Sequence, residues 1–211
     1  MDQNLVANAL SLTQFVVALS IAIRGFYLFR QTRSRRLFIL ALSMLVFSLT
    51  SAAGFAGDNV TAISLNVDWF NYIGQTVSFL FILFSLLHSS DNYLRRLMYS
   101  HIIVSIVLLV LLILAPVLPP EFPNPAITKS LLSGSRGVTC AIIFFFYSTS
   151  FRKKETLFAL LMCSAFFLLA IGYFTILPKY FSPNDFLDRL GDIFRIGGVL
   201  ALLLALSNRA Q

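Results

Sequence analysis

Nine side chains in this sequence have types and spacings that could do chemistry, and eight of them fall in, or one turn beyond, two matching segments. Asp68-Trp69-Phe70-Asn71-Tyr72-Ile73-Gly74-Gln75 aligns without a gap against Asp185-Phe186-Leu187-Asp188-Arg189-Leu190-Gly191-Asp192, 117 residues later. On a helix, Asp68, Asn71, Gln75 and Ser78 recur at steps of three and four and so share one face. Asp185, Asp188, Asp192 and Arg195 occupy the corresponding steps of the second segment. Arg136 stands alone in a separate apolar stretch. Carboxylates, guanidinium groups and amides on such faces can pair with one another, or can receive an anionic group among hydrogen-bond donors and aromatic walls. They do not make a reaction centre. No Gly-rich phosphate loop, catalytic carboxylate pair, nucleophile motif or HExxH arrangement occurs on a loop that could support it, so the chain reads as a non-enzyme without cofactor or metal.

The elements that must position these groups are membrane helices. Hydrophobic residues make up 58% of the 211, charged residues 12%, and the mean hydropathy is +0.84. That is too apolar for a soluble domain. Seven runs approach the roughly 20 apolar residues that span a bilayer. They are Leu5 to Phe29, Leu37 to Gly57, Trp69 to Leu87, His101 to Leu118, Ile127 to Ser150, Thr156 to Leu177 and Phe186 to Leu206. The first run is no cleaved signal peptide, being long, lacking a preceding basic residue and being followed by six more spans. The expected fold is therefore all-α: a single seven-helix membrane domain over residues 1–211.

Cations give the orientation. Arg30, Arg33, Arg35 and Arg36 follow helix 1, Arg95 and Arg96 follow helix 3, Arg152, Lys153 and Lys154 follow helix 5, and Arg209 follows helix 7. These loops share one side. The other side carries Lys129 and Lys179 with Asp2, Asp58 and Glu121. The positive-inside rule then puts the N-terminus outside and the C-terminus in the cytoplasm of a cell inner (plasma) membrane. The net charge of +7 is on this reading a topology signal beside anionic lipid and not a nucleic-acid surface.

The segment match predicts a parallel 3+1+3 repeat. Residues 1–92 form the first three-helix unit, 93–126 a connector containing helix 4, and 127–211 the second unit. An odd number of helices separates equivalent positions, so both units enter the membrane in the same direction, as in some transporter folds. A weaker echo pairs Arg35-Arg36-Leu37 through Gly54-Phe55 with Lys154-Glu155-Thr156 through Tyr173-Phe174. Gly74 and Gly191 would let neighbouring helices approach closely at matching heights.

Depth sharpens the site. At about 1.5 Å per residue, Asp192 lies about 10 Å below Asp185, and Arg195 about 15 Å below it. Arg136 reaches a similar depth from the same surface. Ionised groups there cost a few kcal/mol or more unless paired or hydrated. Asp192 is thus expected to pair with Arg136 or Arg195, with helices 3, 5 and 7 turning these faces together. Two readings follow. One is a buried network that locks the units together. The other is an outward-facing polar pocket, with Trp69, Tyr72 and Phe186 as walls, Asn71 and Gln75 as orienting groups and Arg136 or Arg195 as the charge partner.

Other polar residues carry less. Arg24 can snorkel to the cytoplasmic interface. His88, Asp91 and His101 read as solvated groups around a loop, and Cys140 and Cys163 as packing thiols with no disulfide implied. Asn59-Val60-Thr61 fits a glycosylation acceptor, and chance is the simpler reading of it.

Seven helices with short loops and an outward N-terminus resemble microbial rhodopsins, but no lysine lies between Phe186 and Leu206 to hold retinal. The three-one-three plan is similar to that of SWEET sugar transporters, whose Pro-Gln pair is not found here. The aromatic start of helix 3, Gly74 shortly after it and the polar helix entries on the outer side look most like the seven-helix sensory regions that precede bacterial kinases and cyclases. That resemblance implies a sensor, expected to stand alone because no such domain follows Gln211. The function expected is a non-enzymatic sensor or interaction module binding a small molecule or lipid on the outer side. Its loops around Arg30 to Arg36 and Arg152 to Lys154 would contact a cytoplasmic or membrane protein effector. The alternatives are a small membrane carrier and a structural subunit of a membrane complex. The apolar inner halves of helices 3 and 7 speak against a carrier, which needs one site reachable from both sides.

Overall fold

The computed structural model describes residues 3–59, 67–114, 124–182 and 185–208, and at residues 3–8, 57–59, 68 and 185 the backbone alone. Asp2, Asp58, the Asn59-Val60-Thr61 acceptor, the prolines at 116, 119, 120 and 123, Glu121 and Arg209 are expectations whose side chains or whole residues lie outside the described part. Seven helices long and apolar enough to cross a membrane account for nearly all of the described chain. They are α1 (Gln3–Thr32), α2 (Arg35–Asn59), α3 (Asp68–Leu87), α4 (Asp91–Ile113), α5 (Pro125–Lys154), α6 (Leu157–Thr175) and α7 (Asp185–Asn208), with a 3-10 turn at Leu177–Tyr180.

Local chemistry sets the breaks. Arg33 turns into the left-handed region at φ 56°, and its amide bonds back to Phe29 O at 2.8 Å. Ser34 follows, its amide held by Thr32 Oγ1 at 3.3 Å. The link from α5 to α6 is built alike: Glu155 has φ 47° and bonds to Phe151 O at 2.7 Å, and Thr156 then caps α6 by accepting from the Ala159 amide. A left-handed residue ends a helix by satisfying its last carbonyls, and a Thr N-cap starts the next one. Pro125 opens α5, where its missing N–H leaves nothing unsatisfied.

Helix 4 departs from expectation. It begins at Asp91 and not at His101, because Leu94 and Leu97 are buried with Ile39 of α2 while the polar residues between them face outward. Asp91 sits in the first turn, favourable for the helix dipole, and pairs with Arg35 at 2.8 Å. Arg95 and Arg96 are thus helical. His101 is likewise no loop residue: it is buried at 1% exposure and stacked on Phe81 at 4.1 Å.

The helices form a closed ring of six. α1 packs on α2, α2 on α3, α3 on α5, α5 on α6, α6 on α7 and α7 on α1. α4 lies outside the ring against α2 and α3. Its outward residues Ile103, Ile106, Val107, Val110 and Ile113 are exposed, an apolar face that suits contact with lipid. The ring's interior is closed by fully buried Phe47, Phe79, Phe166 and Tyr173, with edge-on contacts from Phe47 to Phe79 and from Phe79 to Tyr173, both at 5.7 Å. The α6–α7 crossing is the tightest point. A Cβ on Gly172 would stand 2.9 Å from Gly191 O, and one on Gly191 would stand 3.0 Å from Gly172 O. Where lipid replaces water, such backbone approach is a main source of helix adhesion.

Candidate functional site

The polar groups of the ring meet where α3, α5 and α6 come together. Arg136 of α5 is 2% exposed and Gln75 of α3 is 3% exposed. The Arg136 Nη1 group donates to Gln75 Oε1 in a short hydrogen bond, Nη2 donates to Ser133 Oγ at 3.1 Å, and Nε to Leu132 O at 3.3 Å. Tyr173 of α6 donates its hydroxyl to the same Gln75 oxygen at 3.1 Å. The guanidinium carbon lies 4.9 Å from the centre of the Tyr72 ring and 4.6 Å from that of Tyr173. Two aromatic faces thus supply part of the negative potential that a carboxylate would otherwise give.

The remaining valences of Gln75 are also used. Its Nε2 donates to Asn71 Oδ1 at 2.6 Å and to Thr50 Oγ1 of α2 at 3.3 Å. Asn71 and Gln75 share a face, as the four-residue spacing predicts. On the side toward the 3-10 turn, the Tyr72 and Tyr180 hydroxyls stand 3.1 Å apart, and Tyr180 donates to Ser133 Oγ at 3.4 Å. The result is a filled, hydrogen-bonded clasp joining α2 and α3 to α5 and α6. Among the described residues no carboxylate pairs with Arg136, so its charge is dispersed over neutral acceptors and not cancelled.

The acidic residues of α7 belong elsewhere. Asp192 pairs with Arg195 three residues on, in a short contact along one face of α7. It does not reach Arg136, because α7 packs on α6 and α1 and not on α3 or α5. The expected meeting of helices 3, 5 and 7 is corrected in this way: α6 stands between, and Tyr173 makes the junction, its ring facing Arg136 on one account and Arg195, at 5.5 Å, on the other. Asp188 is held by Lys179 at 2.6 Å.

Trp69 is also displaced from its expected place as a wall. It packs in the cluster between α2, α3 and α4 that holds Phe70, Leu108 and Leu112, because Trp69, Ile73 and Val77 recur at steps of four on a face of α3 other than that of Asn71 and Gln75. Phe186 is 69% exposed. Asp68 supplies the first residue of α3. Gly74 does serve close approach: a Cβ there would meet Thr50 Cγ2 at 2.7 Å.

Four participants were missed by sequence reasoning. Thr50, Ser133, Tyr173 and Tyr180 lie outside the matching segments, and a Thr, Ser or Tyr in an apolar run gives no signal of its own. Ser133 does lie three residues before Arg136, a spacing that puts both on one helix face. No group of His, Cys, Asp and Glu suited to a metal occurs among the described residues. Comparison of the chain with protein-family models, with curated proteins and with solved structures finds no match.

Proposed function

We propose that this chain is a non-enzymatic multi-pass membrane sensor or interaction module whose responsive element is the Arg136 clasp. The observation that carries the reading is a buried guanidinium held across the α3–α5 contact by groups that, among the described residues, are all neutral. A cation in that state keeps affinity for an arriving anion, and an anion that binds it competes with Gln75. Ligand then favours one of two packings by its differential affinity for them.

The parallel repeat is part of the proposal. α1 and α5 each run 30 residues and each end in a left-handed residue and a two-residue link. The contacts α3 on α5 and α7 on α1 are the pair that a two-fold axis along the membrane normal would interchange. Under this reading Arg136 lies at the seam of two units, with the N-terminus outside and the C-terminus in the cytoplasm of an inner (plasma) membrane. A small anionic molecule or lipid group would enter on the outer side past Tyr72 and Tyr180. The basic loops around Arg30 to Arg36 and Arg152 to Lys154 would carry the change to a protein effector. A carrier is the weaker reading, since Phe47, Phe79 and Phe166 fill the ring below the clasp.

The test is thermal unfolding of the detergent-purified protein against a panel of small carboxylates, sulfonates and phosphates. The proposal expects one class to stabilise the wild type and to lose that effect in folded Arg136→Met. Stabilisation unchanged in Arg136→Met, or none by any anion, would overturn it.

A further inference from the structure

At the basic end of the bundle the same α3–α5 seam opens. A cavity of about 490 Å³ lies there between α2, α3, α5 and α6. Its floor is apolar and packed, with Leu37, Leu40, Ile82 and Met162 each buried. Its rim is polar and positive, formed by Ser34, Arg36, Ser150 and Lys154. Among the described residues no acidic one lines it. Among the described residues no carboxylate pairs with Arg36 or Lys154.

Arg36 is prepared for a ligand. One terminal nitrogen makes a long hydrogen bond to His88 O at 3.4 Å, while its Nε is buried with no hydrogen-bond partner among the described residues. A buried donor left unmatched costs free energy, and it shows that the guanidinium is not saturated by its protein partners. The guanidinium fork suits a planar or tetrahedral oxyanion, and the Lys154 ammonium adds a second charge across the opening. Low-dielectric walls beneath two like charges focus the field on whatever enters. The volume falls within the range of small-molecule sites, and the division into polar rim and apolar floor fits an amphiphile.

We infer that this cavity binds an amphiphile with a phosphate head group, the head at Arg36 and Lys154 and the apolar part against Leu40, Ile82 and Met162. Two cationic centres and the serine hydroxyls match a phosphate monoester, which has two charges and three acceptor oxygens. An occupant would bridge α2 and α3 to α5 and α6, the same helices that the clasp joins at the far end. The inference stands on the cavity and does not depend on the sensor reading.

The experiment uses the full chain in uncharged detergent, with three probes: decyl phosphate, dioleoylphosphatidic acid and inorganic phosphate. Saturable thermal stabilisation by one of the first two is expected, weakened at least tenfold in Arg36→Gln and in Lys154→Ala and unchanged in Arg95→Ala. Lys154 is exposed, so its variant reports even where Arg36→Gln fails to fold. Preference for phosphatidic acid assigns a bilayer lipid and preference for decyl phosphate a soluble phosphomonoester, and either supports the site. Inorganic phosphate binding as tightly as both, equal weakening in Arg95→Ala, or no saturable binding by the folded wild type would overturn it. Arg136→Met separates the two proposals, since it removes the clasp and leaves this cavity intact.

Discussion

Replacing Gln75 by leucine is expected to destabilise the protein more than replacing Arg136 by methionine, and the double replacement is expected to recover part of the loss. Gln75 Oε1 accepts from both Arg136 and Tyr173. In Gln75→Leu the guanidinium keeps only Ser133 Oγ and Leu132 O, and the Tyr173 hydroxyl loses its acceptor. A hydrogen bond to a charged group contributes about 1.5–3 kcal/mol and a neutral one about 1 kcal/mol. Polar couplings between membrane helices run lower, at most about 1.7 kcal/mol. The expected cost of Gln75→Leu is therefore about 2–3 kcal/mol. Arg136→Met removes the buried charge and leaves Gln75 bonded to Tyr173, Asn71 and Thr50, at a cost of about 1 kcal/mol. Apolar replacement of both members of a buried pair is often close to neutral, so the double variant should lie within about 1 kcal/mol of wild type. Reversible unfolding in mixed dodecyl maltoside and dodecyl sulfate micelles, followed by far-ultraviolet circular dichroism, measures all three. Costs that simply add to within about 0.5 kcal/mol would refute the reasoning.

Four further outcomes follow from the packing. Tyr173→Phe keeps the ring over Arg136 and loses one hydrogen bond, for about 1 kcal/mol, whereas Tyr173→Leu also loses the cation–π contact and costs about 1–2 kcal/mol more; the same micelle titration reports both. Gly191→Ala drives a methyl group into Ile176 and the Gly172 carbonyl and should cost about 1–3 kcal/mol. Gly134→Ala meets only Leu177 at 3.8 Å and should stay within about 0.5 kcal/mol of wild type in thermal unfolding. Asp192→Asn weakens the contact with Arg195, which meets the clasp through the Tyr173 ring and makes no hydrogen bond to Gln75, so its cost should add to that of Gln75→Leu within about 0.5 kcal/mol.

Hydropathy made the seven helices legible, because apolar length is a direct physical requirement of a bilayer. The start of α4 was not, since Asp91 to Arg96 is polar in sequence and becomes helical only through Leu94 and Leu97 packing on Ile39. The spacing of Asn71 and Gln75 showed a shared face, and their 2.6 Å hydrogen bond lies along it. Asp192, expected to pair with Arg136 or Arg195, pairs with Arg195, while the neutral partner that Arg136 takes, Gln75, gives no charge signal in a sequence. Which helix lies between α5 and α7 is a tertiary fact, and α6 announces itself only by one tyrosine in an apolar run. The links after α1 and α5 are built alike from Arg33-Ser34 and Glu155-Thr156, a likeness of backbone conformation that the residue types do not show.

The central claim is that the clasp is the element whose making and breaking sets how the two groups of helices pack. Spin labels at Leu12 of α1 and Leu131 of α5, which are 48% and 70% exposed, report the distance across the ring by double electron–electron resonance in lipid nanodiscs. The account predicts one dominant distance in the wild-type background and a second population in Gln75→Leu, with the first restored in the double variant that also carries Arg136→Met. A distribution that is the same in all three backgrounds would contradict it and leave the clasp as a static lock.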